Sequence, residues 1–64
     1  MKYLLKELRE QKGETQAETA KALGIARTTY SRWERDLSSV SFSKALALAR
    51  YFNVRLSEIK LKAD

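Results

Sequence analysis

The chain has no cysteine, no histidine and no proline, and only two of its 64 residues are glycine. Without cysteine there are no disulfides, no thiolate nucleophiles and no thiolate metal ligands. Without histidine the usual zinc sets, imidazole acid–base chemistry and the common nucleophilic triads are excluded as well. Gly13 and Gly24 are too few and too far apart for a loop that cradles phosphates. No apolar run approaches the roughly 18 residues of a membrane span. The opening MKYLLKELREQKGE places Glu7 and Glu10 where a secretory signal would continue apolar. No stretch alternates apolar and polar residues between turn residues, so strand signals are missing too.

What is present is charge of predominantly one sign. Thirteen Lys and Arg against eight Asp and Glu give a net charge of +5 and a pI near 9.8. Such a surface favours polyanionic partners, of which nucleic acid is the commonest, and its distribution has to separate that from a merely solvated shell. The carboxylates Glu7, Glu10, Glu14 and Glu18 belong to helix faces and a helix cap, and a single domain spanning residues 1–64 has little room for a deep pocket. No enzymatic activity, metal, cofactor or small-molecule ligand is expected. The expected compartment is the cytoplasm.

Apolar spacing reads as helix throughout. Helix 1 is expected over about Lys2 to Lys12, with Leu4, Leu5 and Leu8 on one face and Gly13 as the residue that ends it. Helix 2 is expected to begin at Thr15, where Thr15 and Glu18 form the T-x-x-E pattern of a capping box. Its buried face is read as Ala17, Ala20 and Leu23, and Gly24 ends it. Helix 3 is expected over Arg27 to Arg35. At about 100° per residue, Tyr30, Trp33 and Leu37 share one side, and Arg27, Thr28, Ser31, Arg32 and Arg35 gather on the other. After the serine-rich loop, Ser41 caps a helix over Phe42 to Phe52 that is apolar around much of its circumference, with Phe42, Ala45, Leu46, Leu48, Ala49 and Phe52; Asn53 stops it. A last short helix is expected over Leu56 to Leu61.

Helix 3 is the most informative stretch. An α-helix fits the major groove of B-DNA, where base edges present a distinguishable pattern. Arg27 and Arg32 can each donate two hydrogen bonds to a guanine. Thr28 and Ser31 can bond bases or phosphates, and the Thr28 methyl can touch a thymine methyl. Gln16, at the positive end of helix 2, directs an amide towards a phosphate, and Arg35 reaches the backbone.

In LKELREQKG (Leu5 to Gly13), TQAETAKALGI (Thr15 to Ile25), YSRWER (Tyr30 to Arg35) and ALALARYFNV (Ala45 to Val54), the chain resembles the Cro/C1-type (Xre) helix-turn-helix family of phage repressors and bacterial regulators. The likeness runs from about residue 5 to residue 59 with no gap, and its helix-turn-helix falls at 15–35. The resemblance implies an all-α, five-helix, lambda-repressor-like DNA-binding domain whose third helix enters the major groove, usually as a homodimer on a palindromic double-stranded operator. Carried over, the base-reading positions are Arg27, Thr28, Ser31 and Arg32, and the phosphate contacts are Gln16, Arg35 and the loop near Ser41. The resemblance also implies a structural ion pair between Arg9 and Glu34; losing one partner of such a pair, if buried, costs on the order of 3 to 5 kcal/mol. The last helix offers Leu56 and Ile59 to the core; Ile59 and Leu61 are either core residues or, as the resemblance implies for this region, dimer contacts.

Departures from the family pattern carry their own expectations. Glu14 and Thr19 replace apolar residues, which predicts a looser corner between helices 1 and 2. Ala26 replaces a Ser or Thr cap, a change worth roughly 1 kcal/mol. Asp36 replaces a frequent glycine, Val40 a frequent proline, and Arg55 a capping residue. The function expected is a sequence-specific transcriptional regulator, most simply a repressor. The rival is an antitoxin or adaptor of the same fold acting by protein–protein interaction.

Overall fold

The computed structural model describes residues 3–62. Four α-helices follow in order: α1 Leu5–Gln11, α2 Gln16–Leu23, α3 Arg27–Arg35 and α4 Phe42–Phe52, with a single 3-10 turn at Leu56–Glu58. Helix 1 is shorter than its apolar spacing suggests. Leu4 is its N-cap, and Tyr3 lies in an extended segment; the expected first residue, Lys2, lies outside the described residues.

Local chemistry accounts for the helix ends. At the start of α2 the Thr15 hydroxyl accepts the Glu18 N–H at 3.1 Å, and the Glu18 carboxylate accepts the Thr15 N–H at 2.8 Å, completing the capping box. Ser41 accepts the Lys44 N–H at the start of α4. Helices α1, α2 and α4 end alike. Gly13, Gly24 and Asn53 adopt positive φ, and the N–H of the next residue returns to a carbonyl five residues back: Glu14 to Arg9, Ile25 to Ala20, Val54 to Ala49. This pattern satisfies carbonyls that the helix leaves without partners.

The core joins Leu5, Leu8, Ala20, Tyr30, Leu37, Leu48, Ala49, Phe52 and Ile59. Two expected core positions are corrected. Ala17 is exposed, and Thr19, fully buried, takes its place on the inner side of α2. Phe42 is 71% exposed, because the first residue of α4 projects beyond the bundle.

The fifth helix is also corrected. After the 3-10 turn the chain runs extended and is held by main-chain bonds that a helix could not make. Tyr3 N–H donates to Glu58 O at 2.8 Å, Lys60 N–H to Tyr3 O at 2.7 Å, and Leu37 N–H to Leu61 O at 2.6 Å. Isolated bridges pair Tyr3 with Ile59 and Asp36 with Lys62. Ile59 is thereby part of the core, at 3% exposure, and offers no surface to a partner; Leu61 does.

Candidate nucleic-acid interface

Helix α3 packs chiefly on α2, and the joint between them is the Gly24 turn followed by Ile25 and Ala26. Ala26 occupies the N-cap of α3 and supplies no side-chain hydrogen bond, so this helix start is left to its backbone alone. Tyr30 is fully buried and Trp33 half-buried, which fixes the rotation of α3 about its axis. The opposite side then faces outward: Arg27, Thr28, Arg32 and Arg35 are exposed, and Ser31 is half-buried at the margin.

The electrostatics of this face follow from where the acid goes. The carboxylate of α3, Glu34, points inward, where its Oε2 accepts Arg9 Nε–H at 2.7 Å. Burial alone would push the Glu34 carboxyl up; the hydrogen bonds from Arg9 and Gln16 outweigh it and hold the group below its usual value. Arg9 is correspondingly raised, first by its bond to Glu34. Among the described residues Arg27, Arg32 and Arg35 form no ion pair, so their charge stays on the outer face.

The expected phosphate ligands are placed as follows. Gln16 is the first residue of α2, and its Nε2 donates to Glu34 Oε1 at 2.9 Å. Arg35 is exposed at the end of α3. Ser41 is exposed, with its hydroxyl oxygen engaged in capping α4 and 3.4 Å from the Ser43 hydroxyl. Asp36, extended at φ −157°, accepts both the Ser38 hydroxyl (2.6 Å) and the Ser38 N–H (2.9 Å), and lies 3.8 Å from Lys62 Nζ. The Ser38 bonds lower its carboxyl pKa. Its charge beside the expected phosphate path is therefore partly met from within. Val40 donates its N–H to Leu37 O at 3.1 Å, a bond that a proline at that position could not make.

One cluster has no counterpart in the sequence reading. Glu14, at the corner before α2, accepts the Tyr51 hydroxyl at 2.7 Å on each oxygen and the Thr19 hydroxyl at 2.7 Å. These donors, Tyr51 first, lower the Glu14 carboxyl, and the carboxylate pushes the Tyr51 phenol up to about 12. The Lys12 ammonium sits 4.6 Å from the Tyr51 ring centre. Instead of loosening the corner, the two polar departures are bonded to each other. The signal was present only as two polar residues, Glu14 and Thr19, at a place where apolar ones were expected; Tyr51 is too distant in sequence to be read with them.

Two helices joined by a left-handed glycine turn, the second turning a basic side outward, define a helix-turn-helix domain. A family model described as helix-turn-helix matches residues 5–59, most of the chain, and the protein belongs to this family, the Cro/C1-type or Xre group of DNA-binding domains. No curated protein and no solved structure matches it. Among the described residues no helix is long and apolar enough to cross a membrane, and no group of acidic side chains is arranged to hold a metal ion.

Proposed function

We propose that this protein is a sequence-specific transcriptional regulator, acting as a repressor in the cytoplasm, that inserts α3 into the major groove of a double-stranded operator. The partition of α3 carries this reading. Tyr30 and Trp33 anchor one side in the core, and Arg27, Thr28 and Arg32 stand exposed on the other with Ser31 at its edge. In this reading Arg27, Thr28, Ser31 and Arg32 contact bases, while Gln16, Arg35 and Ser41 fix register on phosphates. With the operator held in this way, repression is by occupancy of the site.

The protein acts as a homodimer. Phe42 and Leu61, at 71% and 47% exposure the two large apolar side chains left exposed among the described residues, border one apolar groove with Leu37, Val40 and Leu56. The exposure of that apolar groove supports pairing with a second copy, the two-fold arrangement that a palindromic site requires.

The direct test is titration against duplex DNA of random sequence at two salt concentrations. Contacts to several phosphates release counterions, so affinity falls steeply as salt rises. Weak binding that is flat in salt contradicts the reading and favours a domain of this fold whose partner is another protein.

A further inference from the structure

Glu34 sits on the recognition helix, yet no base-reading scheme uses it. Its side chain is 6% exposed. Both oxygens are engaged: Oε2 by Arg9 Nε–H at 2.7 Å, Oε1 by Gln16 Nε2 at 2.9 Å, with Arg9 Nη2 a further 3.5 Å contact to Oε1. Arg9 is anchored on its other side by donation from Nη1 to Glu14 O at 2.8 Å, at the corner that Tyr51 and Thr19 hold. The carboxylate therefore has a fixed position.

A carboxylate only accepts, so the nitrogen end of the Gln16 amide must face it. That sets the orientation of the whole side chain and leaves the second N–H of Nε2 for another acceptor. A glutamine ordered in this way before binding gives up less rotamer freedom on meeting DNA.

We propose that Glu34 is a positioning residue for the phosphate contact: it holds the Gln16 amide in the orientation that meets the DNA backbone, and so ties the contact made by α2 in register with the reading face of α3. The inference rests on Gln16 being a phosphate ligand, as proposed above. Glu34 itself touches no DNA. Its effect on affinity passes through Gln16 and is the same for every DNA sequence.

The test is a double-mutant cycle in DNA affinity with wild type, Gln16→Ala, Glu34→Gln and the double variant, each checked by circular dichroism to be folded at the assay temperature. In Glu34→Gln the charged Arg9 retains the amide oxygen, being the stronger donor, and the amide nitrogen turns to Gln16, whose own amide must rotate to present its oxygen and so loses the orientation that the carboxylate imposes. Glu34→Gln is expected to weaken binding about three- to tenfold, the range spanned by one hydrogen bond. It is expected to change nothing in the Gln16→Ala background. An equal loss in both backgrounds, or no loss in the wild type, overturns the proposal while leaving Gln16 as a phosphate ligand. If Gln16→Ala alone costs nothing, the phosphate reading fails and the positioning role with it.

A measurement on the unmodified protein guards against a variant that does not fold. The Gln16 side-chain amide resonances should move as Glu34 is protonated on acidification, while the backbone spectrum remains native. Amide signals that ignore that titration overturn the proposal.

Discussion

The Thr19 hydroxyl, fully buried in α2, donates to Glu14 Oε1 at 2.7 Å. Two polar residues that interrupt an otherwise apolar corner thus satisfy each other, and Tyr51 closes the arrangement from α4. Thr19→Val keeps the shape and removes the donor. It is expected to destabilise the fold by about 1 kcal/mol, the usual net worth of one such bond. The midpoint of urea unfolding measures it. Glu14→Ala alone should cost more than the pair Glu14→Ala with Thr19→Val, because the single change leaves the buried hydroxyl without an acceptor. A single and a double variant of equal stability would show that the bond contributes nothing.

Tyr30 presents the opposite case. Its ring is central to the core at 0% exposure, and its buried hydroxyl has no hydrogen-bond partner among the described residues. Burial, and the neighbouring Glu34 carboxylate after it, raise its pKa well above the ordinary tyrosine value. An unsatisfied buried hydroxyl costs about 1 to 3 kcal/mol. Tyr30→Phe is therefore expected to leave the thermal midpoint level or to raise it, since the hydroxyl faces the Glu34 carboxylate without a well-formed hydrogen bond to it. A lower midpoint would reveal an interaction of that hydroxyl.

Acid should lower the stability of the fold through Glu34. Its carboxyl is held below the ordinary 4.5, so the unfolded chain takes up the proton first on acidification. The stabilisation is complete above 4.5 and is lost as pH falls below that value through the folded one. Glu14 and Asp36 shift in the same direction and add to it from more open positions. Urea midpoints measured from pH 7 down to pH 3 should decline below about pH 4.5, and Glu34→Gln should flatten the decline. An unchanged pH profile in that variant would assign the acid sensitivity to the other carboxylates.

Arg32 is exposed on the outer face of α3 and unpaired among the described residues. Arg32→Ala is expected to cost about 1 to 3 kcal/mol on the preferred site and to relax one base position. Competition binding against a set of single-base variants reads both effects. An unaltered preference profile would remove Arg32 from the reading set.

The helix-turn-helix was legible in the sequence because its signals are local. Thr15 with Glu18 marks the start of α2, Gly24 its end, and the phase of Tyr30 and Trp33 sets the outward side of α3. Ser41 and Asn53 bound α4 in the same way. What failed depends on distant partners. Leu56 to Leu61 has helical spacing, yet the chain extends because Tyr3 and Leu37 offer main-chain partners there. Apolar character alone favours Ala17 over Thr19, but a threonine whose hydroxyl is satisfied by Glu14 can be buried at little cost. The Gln16–Glu34 bond is not legible in the sequence for a related reason: the two residues are 18 positions apart, and only the packing of α2 on α3 brings their side chains to 2.9 Å.

Selection of bound sequences from a random pool of duplex DNA reads operator recognition, its symmetry and its half-site spacing together. A two-fold symmetric site whose half-sites lie about one helical turn apart is expected to be enriched, with the preference at one half-site position relaxed by Arg32→Ala. A pool recovered without enrichment, by protein that is folded and at a concentration sufficient to dimerise, would contradict operator recognition.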